Sequence, residues 1–475
     1  MTVKVILQSI AKFSISSWIN FVTGIVTVMV TTRLFNPDIY GLINIYNTAS
    51  AVLVSIACLG FDSAFIRFYN EPPIGFTKES LMVQCLFISV ISLFSITIIA
   101  NVFFSSTISQ GLFGENDTRL LMLLCINSLS LMILNRFFSQ YYRLGNDAYN
   151  YTVQQILTQL TSKVFVILAA FISVDIFTVF FINTLGPFIL MTIYSFKRRD
   201  VIFKNIILRL KGFKEVAIFA VYFCPQTVMI TLNTFLIPWI ISNRLDSYSV
   251  GIYASANFFV GAFSVLQSGF GNYWSAFMYA HYKDEQNIII RAHDYVLIGI
   301  IVIFSVFILS QNVIYLLIGA SYQASRSFFS LVLVDPLLLL LAETTYYGIM
   351  ISKKNQESTI IYFFSIFFNI LLTYSFLPIL GITGAAVSLL ISALLRFCLS
   401  TWRGQKYYKS IQSKKRTCLG VLCIISLAIS NSFFWNEYLL EVLTVLVINM
   451  FVSFIYRKNI RDFLNLLRNH LKNEH

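Results

Sequence analysis

The sequence predicts an all-α polytopic membrane protein of about 14 transmembrane helices, with two six-helix lobes around a central cavity and a further C-terminal helix pair. Three observations predict it. Of 475 residues, 57% are hydrophobic and 12% charged, and the mean hydropathy is +0.76, a balance suited to lipid rather than water. The apolar residues fall in runs of about 20, the length that crosses a hydrocarbon core of roughly 30 Å as a helix. The 34 Lys and Arg residues also alternate between connections. Only Arg33, Arg119, Arg244 and Arg326 fall in or beside one set; Arg136, Lys163 and Arg396 lie inside spans, and the rest gather in the other set. Short basic loops stay in the cytoplasm, because moving a cation through hydrocarbon against the membrane potential is unfavourable. Both termini are therefore expected inside. The net charge of +13 lies beside apolar spans. It faces anionic inner-leaflet lipids, and no nucleic-acid partner is expected.

Taken in order, Ser9 to Thr32 leads outward; it is too long for the apolar core of a signal peptide, so none is expected to be cleaved. Gly41 to Ala64 returns, Ser80 to Phe104 goes out and Thr118 to Tyr141 comes back. The connection from about Ser105 to Asp117 is the longest on the outer side. Tyr151 to Ile172 and Phe177 to Phe196 complete the first lobe, residues 1–196. The linker 197–214 interleaves Lys197, Arg198, Arg199, Lys204, Arg209, Lys211 and Lys214 with Phe203, Ile206, Ile207, Leu210 and Phe213 at helical spacing, which predicts an amphipathic helix on the inner surface. Glu215 to Ile241, Val250 to Phe277, Asp294 to Gln311, Ser327 to Ile351, Thr359 to Leu377 and Gly384 to Trp402 form the second lobe, 215–402. Segment 403–456 holds a basic loop from Arg403 to Arg416 and the last pair, Thr417 to Phe434 and Tyr438 to Tyr456. The tail 457–475 repeats the amphipathic pattern with Arg457, Arg461, Ile460 and Phe463. The two lobes echo each other: Arg33-Leu-Phe-Asn-Pro-Asp-Ile-Tyr-Gly41 and Arg244-Leu-Asp-Ser-Tyr-Ser-Val-Gly251 are both short outer turns running from Arg-Leu to a glycine that opens a helix.

Polar stripes run along several spans. Ser16, Asn20, Thr23, Thr27 and Thr31 lie on one face of the first, and Gln155, Thr158, Gln159, Ser162 and Lys163 on one face of the fifth. Thr227, Thr231 and Thr234 continue the theme in the seventh, as do Asn257 and Ser264 in the eighth. Each stripe alone is explained by helix-to-helix hydrogen bonds of about 0.6–2 kcal/mol; together they predict a water-filled cleft. Ionisable residues inside spans cost about 2.5–3.5 kcal/mol at a helix centre, so Lys163, Arg136, Asp335 and Glu343 are singled out. For Arg136, as for Arg396, an ion pair or snorkelling near the inner end is the favoured reading. Lys163 continues a polar stripe and is assigned to the cleft. Asp335 precedes Pro336, whose ring kinks helices, and with Glu343 it is a candidate for binding a coupling ion.

The turn from Arg33 to Gly41, Leu59-Gly-Phe-Asp-Ser-Ala-Phe-Ile-Arg-Phe68, Val250-Gly-Ile-Tyr-Ala-Ser-Ala256 and Leu380-Gly-Ile-Thr-Gly-Ala-Ala-Val387 together resemble the bacterial O-antigen flippases. These are polysaccharide exporters of the multidrug/oligosaccharidyl-lipid/polysaccharide superfamily. The resemblance covers about residues 5 to 400 and rests on segments that are each unspecific alone but stand in the right order. It implies a protein of the bacterial inner membrane that moves an undecaprenyl-diphosphate-linked oligosaccharide from the cytoplasmic to the periplasmic leaflet. Other polysaccharide-assembly membrane proteins are implied as partners. The related lipid II flippases use arginines in their first two spans, where this chain has neutral residues such as Thr27 and Val54.

That task requires cations for a desolvated diphosphate, and the candidates are Lys163 and Arg136, with Arg67 at the inner mouth. Gln155, Gln159, Asn20 and Tyr151 are candidates for the sugars, offering hydrogen bonds and a stacking face. A drug or cation exporter of the same superfamily is the nearest alternative; it would hold a deep carboxylate in the first lobe, where the deep charges here are basic. A polytopic polymerase or glycosyltransferase would carry acidic residues on a substantial outer loop, which here holds only Glu115 and Asp117. No nucleophile, phosphate-loop or zinc signature is present, so neither catalysis, a cofactor nor a metal is expected. His281, His293, His470 and His475 are assigned to solvated inner loops or the tail.

Overall fold

The computed structural model describes residues 23–145, 147–172, 175–205, 212–352 and 354–462. Among them every regular element is helical. The chain runs through α1 (Thr23–Leu34), α2 (Pro37–Ala57), α3 (Phe61–Phe68), α4 (Lys78–Phe113) and α5 (Arg119–Leu144). Next come α6 (Ala148–Ile172), α7 (Ile176–Lys197), α8 (Arg199–Lys204), α9 (Phe213–Arg244) and α10 (Ser247–His281). Then follow α11 (Gln286–Leu309), α12 (Gln311–Leu316), a 3-10 segment Ala320–Ser327, α13 (Phe329–Ala342) and α14 (Tyr347–Ile351). The last four are α15 (Asn355–Leu380), α16 (Ile382–Tyr407), α17 (Lys414–Phe434) and α18 (Tyr438–Ile455).

Twelve helices are long and apolar enough to cross a membrane, and the 3-10 segment with α13, bent by 61°, makes a thirteenth. With α1, the described part of the first apolar run, this matches the predicted count of about 14. The helices begin and end where local chemistry dictates. Thr77 and Ser80 form a capping box before α4, and Gly114 ends that helix with a φ of 72°. Asp175 caps α7 through the Thr178 amide at 3.0 Å. Pro187, Pro225, Pro238, Pro336 and Pro378 are all accommodated inside helices.

Contacts divide the chain into two units, Met1–Ala254 and Ser255–His475. In the first, α2 packs against α4, α5 and α9, and α7 packs against α5 and α6. Its core includes Phe65, Met132, Phe137, Phe138 and Val216. Polar side chains knit it across helices: Tyr46 to Thr184 at 2.6 Å, Asn127 to Ser50 at 3.0 Å, and Asn183 to Asn47 at 3.1 Å. The repeated outer turns meet within this unit. A Cβ on Gly41 would lie 2.1 Å from the Ser247 carbonyl oxygen, and one on Gly251 only 2.0 Å from that of Pro37. The glycines are required there because backbone touches backbone.

In the second unit α13 is the central helix, buried along Leu331–Val334 and packed against α11, α16 and α17. The last pair, α17 and α18, joins α11. Two expectations need correction. The run from Ser327 to Ile351 is not one helix: it breaks after Ala342 and resumes at Tyr347. His293 is not in a solvated loop. It is fully buried in α11, which starts at Gln286 rather than Asp294. Its Nδ1 lies 2.7 Å from Thr344 Oγ1 and its Nε2 2.9 Å from Thr417 Oγ1. The Thr344 hydroxyl already donates to the Leu341 carbonyl, so Nδ1–H is the donor to Thr344 and Nε2 accepts from Thr417. Partners on other elements let a polar sequence stay helical and buried.

Of the predicted surface helices, residues 197–205, 212–214 and 457–462 are described; residues 206–211, with Arg209 and Lys211, and residues 463–475 lie outside the described residues.

Candidate functional site

In the first unit the polar face of α6 meets α1 and α5. Lys163, near the middle of α6, donates from Nζ to Thr23 Oγ1 at 2.7 Å. The threonines of α1 turn their own protons to carbonyls one turn back, Thr27 to Thr23 and Thr31 to Thr27, both at 2.7 Å. This satisfies the hydroxyl donors and leaves oxygen lone pairs on the face, which is what an ammonium needs. Gln155 Nε2 donates to Ser139 Oγ at 2.8 Å, and Gln154 Nε2 to the Leu134 carbonyl at 2.8 Å. That carbonyl lies in a π-helical stretch, Met132–Phe138, within α5. A π-turn widens the helix and redirects carbonyls, so the amide of a neighbouring helix can reach one. Gln159 is half-buried one turn beyond Gln155 on α6, and Tyr151 packs against the core.

Arg136, inside the π-stretch, pairs with Asp62 of α3 at 3.4 Å, with about a third of its side chain exposed and Asp62 nearly enclosed. The ion-pair reading of Arg136 thus has its partner. Arg67 pairs with Glu71 at 3.3 Å in an exposed contact of little energetic weight. Asn20 lies outside the described residues. The predicted residues that the structure connects are therefore Lys163 to α1 and Gln155 to α5, while Arg136 and Arg67 each engage a nearby carboxylate.

In the second unit Asp335 is held by Arg396 of α16 at 2.5 Å, and the guanidinium lies 5.5 Å from the Tyr362 ring centroid. Glu343, just past the end of α13, accepts from Gln267 Nε2 of α10 at 2.9 Å. The Asp335–Arg396 pair should behave as a neutral unit. Arg396→Ala alone, which strands a carboxylate, is expected to destabilise by about 3–5 kcal/mol, whereas an Asp335→Leu, Arg396→Met double replacement recovers most of the loss. Thermal unfolding of the purified variants measures both.

Sequence reasoning passed over two buried polar groups here. Asp294 accepts from Asn459 at 2.9 Å, and Glu441, in the first turn of α18, is 1% exposed among amides. The signal for Glu441 was available, since an acid in the apolar run Tyr438-Leu-Leu-Glu-Val-Leu meets the same criterion that selected Lys163. Among the described residues, no group of three or more His, Cys, Asp or Glu is placed to hold a metal.

A sequence profile for the family described as polysaccharide biosynthesis protein matches residues 6–272, more than half of the chain. The chain belongs to the polysaccharide biosynthesis protein family. No curated protein sequence matches it. Solved structures share the fold of this family member. The lipid II flippase MurJ in an inward closed conformation is similar with a TM-score of 0.69 at 17% identity, over 94% of this chain and 99% of that one. An inward-facing multidrug resistance MATE family transporter of the MOP superfamily has a TM-score of 0.54 at 14% identity, over 82% and 94%. The MATE multidrug transporter DinF-BH has 0.53 at 15%, over 85% and 96%. The all-α, many-pass fold is thus shared between these proteins and the present chain.

Proposed function

We propose that the protein is a flippase that carries undecaprenyl-diphosphate-linked O-antigen repeat units from the cytoplasmic to the periplasmic leaflet of a bacterial inner membrane by alternating access, with both termini cytoplasmic. The observation that carries the reading is the ammonium of Lys163 near mid-span, on a helix face lined by Gln155, Gln159 and Thr23. An ammonium beside hydroxyl and amide groups suits an anionic head bearing sugars. Family membership supports the polysaccharide part of the reading, and the likeness to a lipid II flippase supports a lipid-linked cargo.

Within this reading Lys163 and Arg136 receive the diphosphate. Arg136 would exchange part of its contact with Asp62 for phosphate oxygens, and Arg67 meets the head at the inner mouth. Gln155, Gln159, Asn20 and Tyr151 contact the sugars. Asp335 and Glu343 serve ion coupling, Asp335 only when released from Arg396.

The MATE neighbours favour drug or cation export as the second reading. Deleting the gene and analysing lipid-linked oligosaccharides separates the two. The flippase reading expects single undecaprenyl-linked repeat units to accumulate on the cytoplasmic face. An unchanged lipid pool together with drug sensitivity would overturn it.

A further inference from the structure

The last helix pair is fastened to the second unit by a closed ring of three side chains. Gln311 Nε2 at the start of α12 donates to Glu441 Oε2 at 2.6 Å. Asn431 Nδ2 of α17 donates both to Glu441 Oε1 and to Gln311 Oε1, each at 3.0 Å. Gln311 is fully buried, and Asn431 and Glu441 are each 1% exposed. The Asn431 side-chain oxygen, also buried, has no hydrogen-bond partner. The ring therefore holds a carboxylate and a spare acceptor in a place closed to bulk water.

Of the charged and titratable groups around it, none among the described residues contacts the carboxylate, although Arg326 attracts it from a distance. Arg326, from the 3-10 segment, is the nearest cation, but it bonds Asn312 and lies against the rings of Tyr315 and Trp435, 5.4 and 5.8 Å from their centroids. Among the described residues no Lys, Arg or His comes within 4.0 Å of Glu441. From α12, Tyr315 gives its hydroxyl to Ser325. At the start of α18, Glu437, its N-cap, and Tyr438 are exposed. The charges of α11 and α17, among them Arg291, Asp294 and Arg416, stand at the other ends of those helices.

Two neutral amides hydrogen-bond an ionised carboxylate but bring no opposite charge into contact, and a charge held out of water without a contacting counter-charge is expensive. A metal cation is a poor remedy: amide N–H groups point at both carboxylate oxygens, and hard cations demand a shell of oxygens. A proton needs one acceptor, and turning one amide over presents its oxygen to the new O–H. We infer that Glu441 is a proton-binding site of this protein, and that taking up a proton there switches the ring joining the last helix pair to α12. The chemistry is R–COO⁻ + H₃O⁺ → R–COOH + H₂O. In the charged state both carboxylate oxygens accept; in the neutral state one also donates, and turning the Asn431 amide over offers its spare oxygen as the acceptor and reverses that bond. On the orientation proposed above, Glu441 lies near the periplasmic end, where it would sense the proton concentration outside; that part of the inference rests on the proposed topology.

Infrared titration of the purified full-length protein in lipid nanodiscs, which requires no substrate, tests the proton site separately from the flippase reading. The wild type is expected to show a protonated-carboxyl band that grows with acidification, and Glu441→Gln to lose it while keeping its melting temperature and elution as a single species. Should Glu441→Gln fail to fold, Glu441→Asp is expected to shift the band's frequency and its pH midpoint. Spectra of wild type and the Gln variant that superimpose at every pH would overturn the proton site, as would a band that responds to sodium at fixed pH. A titrating band in a protein that moves no lipid-linked sugar would leave the proton site standing and remove only the flippase reading.

Discussion

Replacing Lys163 with Gln is expected to lower the movement of lipid-linked diphosphate sugar by about tenfold to 150-fold, with the protein still inserted and folded. The magnitude follows from one charge-assisted hydrogen bond, about 1.5–3 kcal/mol, withdrawn from a desolvated phosphate. Gln still reaches toward Thr23, now bonded at 2.7 Å, so the polar face stays hydrogen-bonded while the charge is lost. Arg at the same position keeps the charge but spreads it over a planar fork, and an intermediate rate is expected. Counting lipid-linked sugars exposed at the far leaflet of reconstituted vesicles measures both. A wild-type rate in Lys163→Gln would exclude the ammonium from the mechanism.

The second large effect concerns the repeated turns. Gly251→Val is expected to destroy the contact between the starts of α2 and α10, because its Cβ would lie 2.0 Å from the Pro37 oxygen. Overpacking against side chains costs about 1–3 kcal/mol, and backbone cannot swing aside as a side chain does, so the upper end or beyond is expected. Gly41→Val should act alike through the Ser247 oxygen at 2.1 Å. Gly299→Ala is the control: it meets nothing within 4 Å, and within a helix alanine should be neutral or stabilise by up to about 1 kcal/mol. Melting temperatures of the three purified variants check this. A Gly251→Val variant that melts with the wild type would mean that the two turns do not touch in the folded protein.

Much of the architecture was legible in the residues, for a physical reason. Lipid imposes one rule on every crossing: about 20 apolar residues whose backbone is satisfied within the helix. That rule is local, so runs such as Ser80 to Phe104 and Thr417 to Phe434 reappear inside α4 and α17. The errors arose where a local criterion met a tertiary solution. Residues 286–293 look like a loop because Arg291 and His293 stand just before the apolar run that begins at Asp294. The helix nevertheless starts at Gln286, and its polar side chains are buried because Thr344, Thr417 and Asn459, distant in sequence, receive His293 and Asp294. The break after Ala342 was equally hidden, since the apolar run continues through Tyr346 to Ile351.

The candidate site divides in the same way. Periodicity alone put Gln155, Gln159 and Lys163 on one face of α6, and the deep position of Lys163 in an apolar run marked it as costly and therefore informative. The sequence could offer both an ion pair and a cleft for Arg136, but not Asp62 as its partner across 74 positions. It likewise offered Asp335 as a coupling group without showing that Arg396 holds it. The number of crossings and the helical faces follow from the sequence by itself, because hydropathy and the 3.6-residue period act over neighbouring residues. Which charges are paired, where two glycines let backbones meet, and how Glu441 is enclosed by Gln311 and Asn431 were decided only by tertiary structure, because each depends on groups that sequence distance does not bring together.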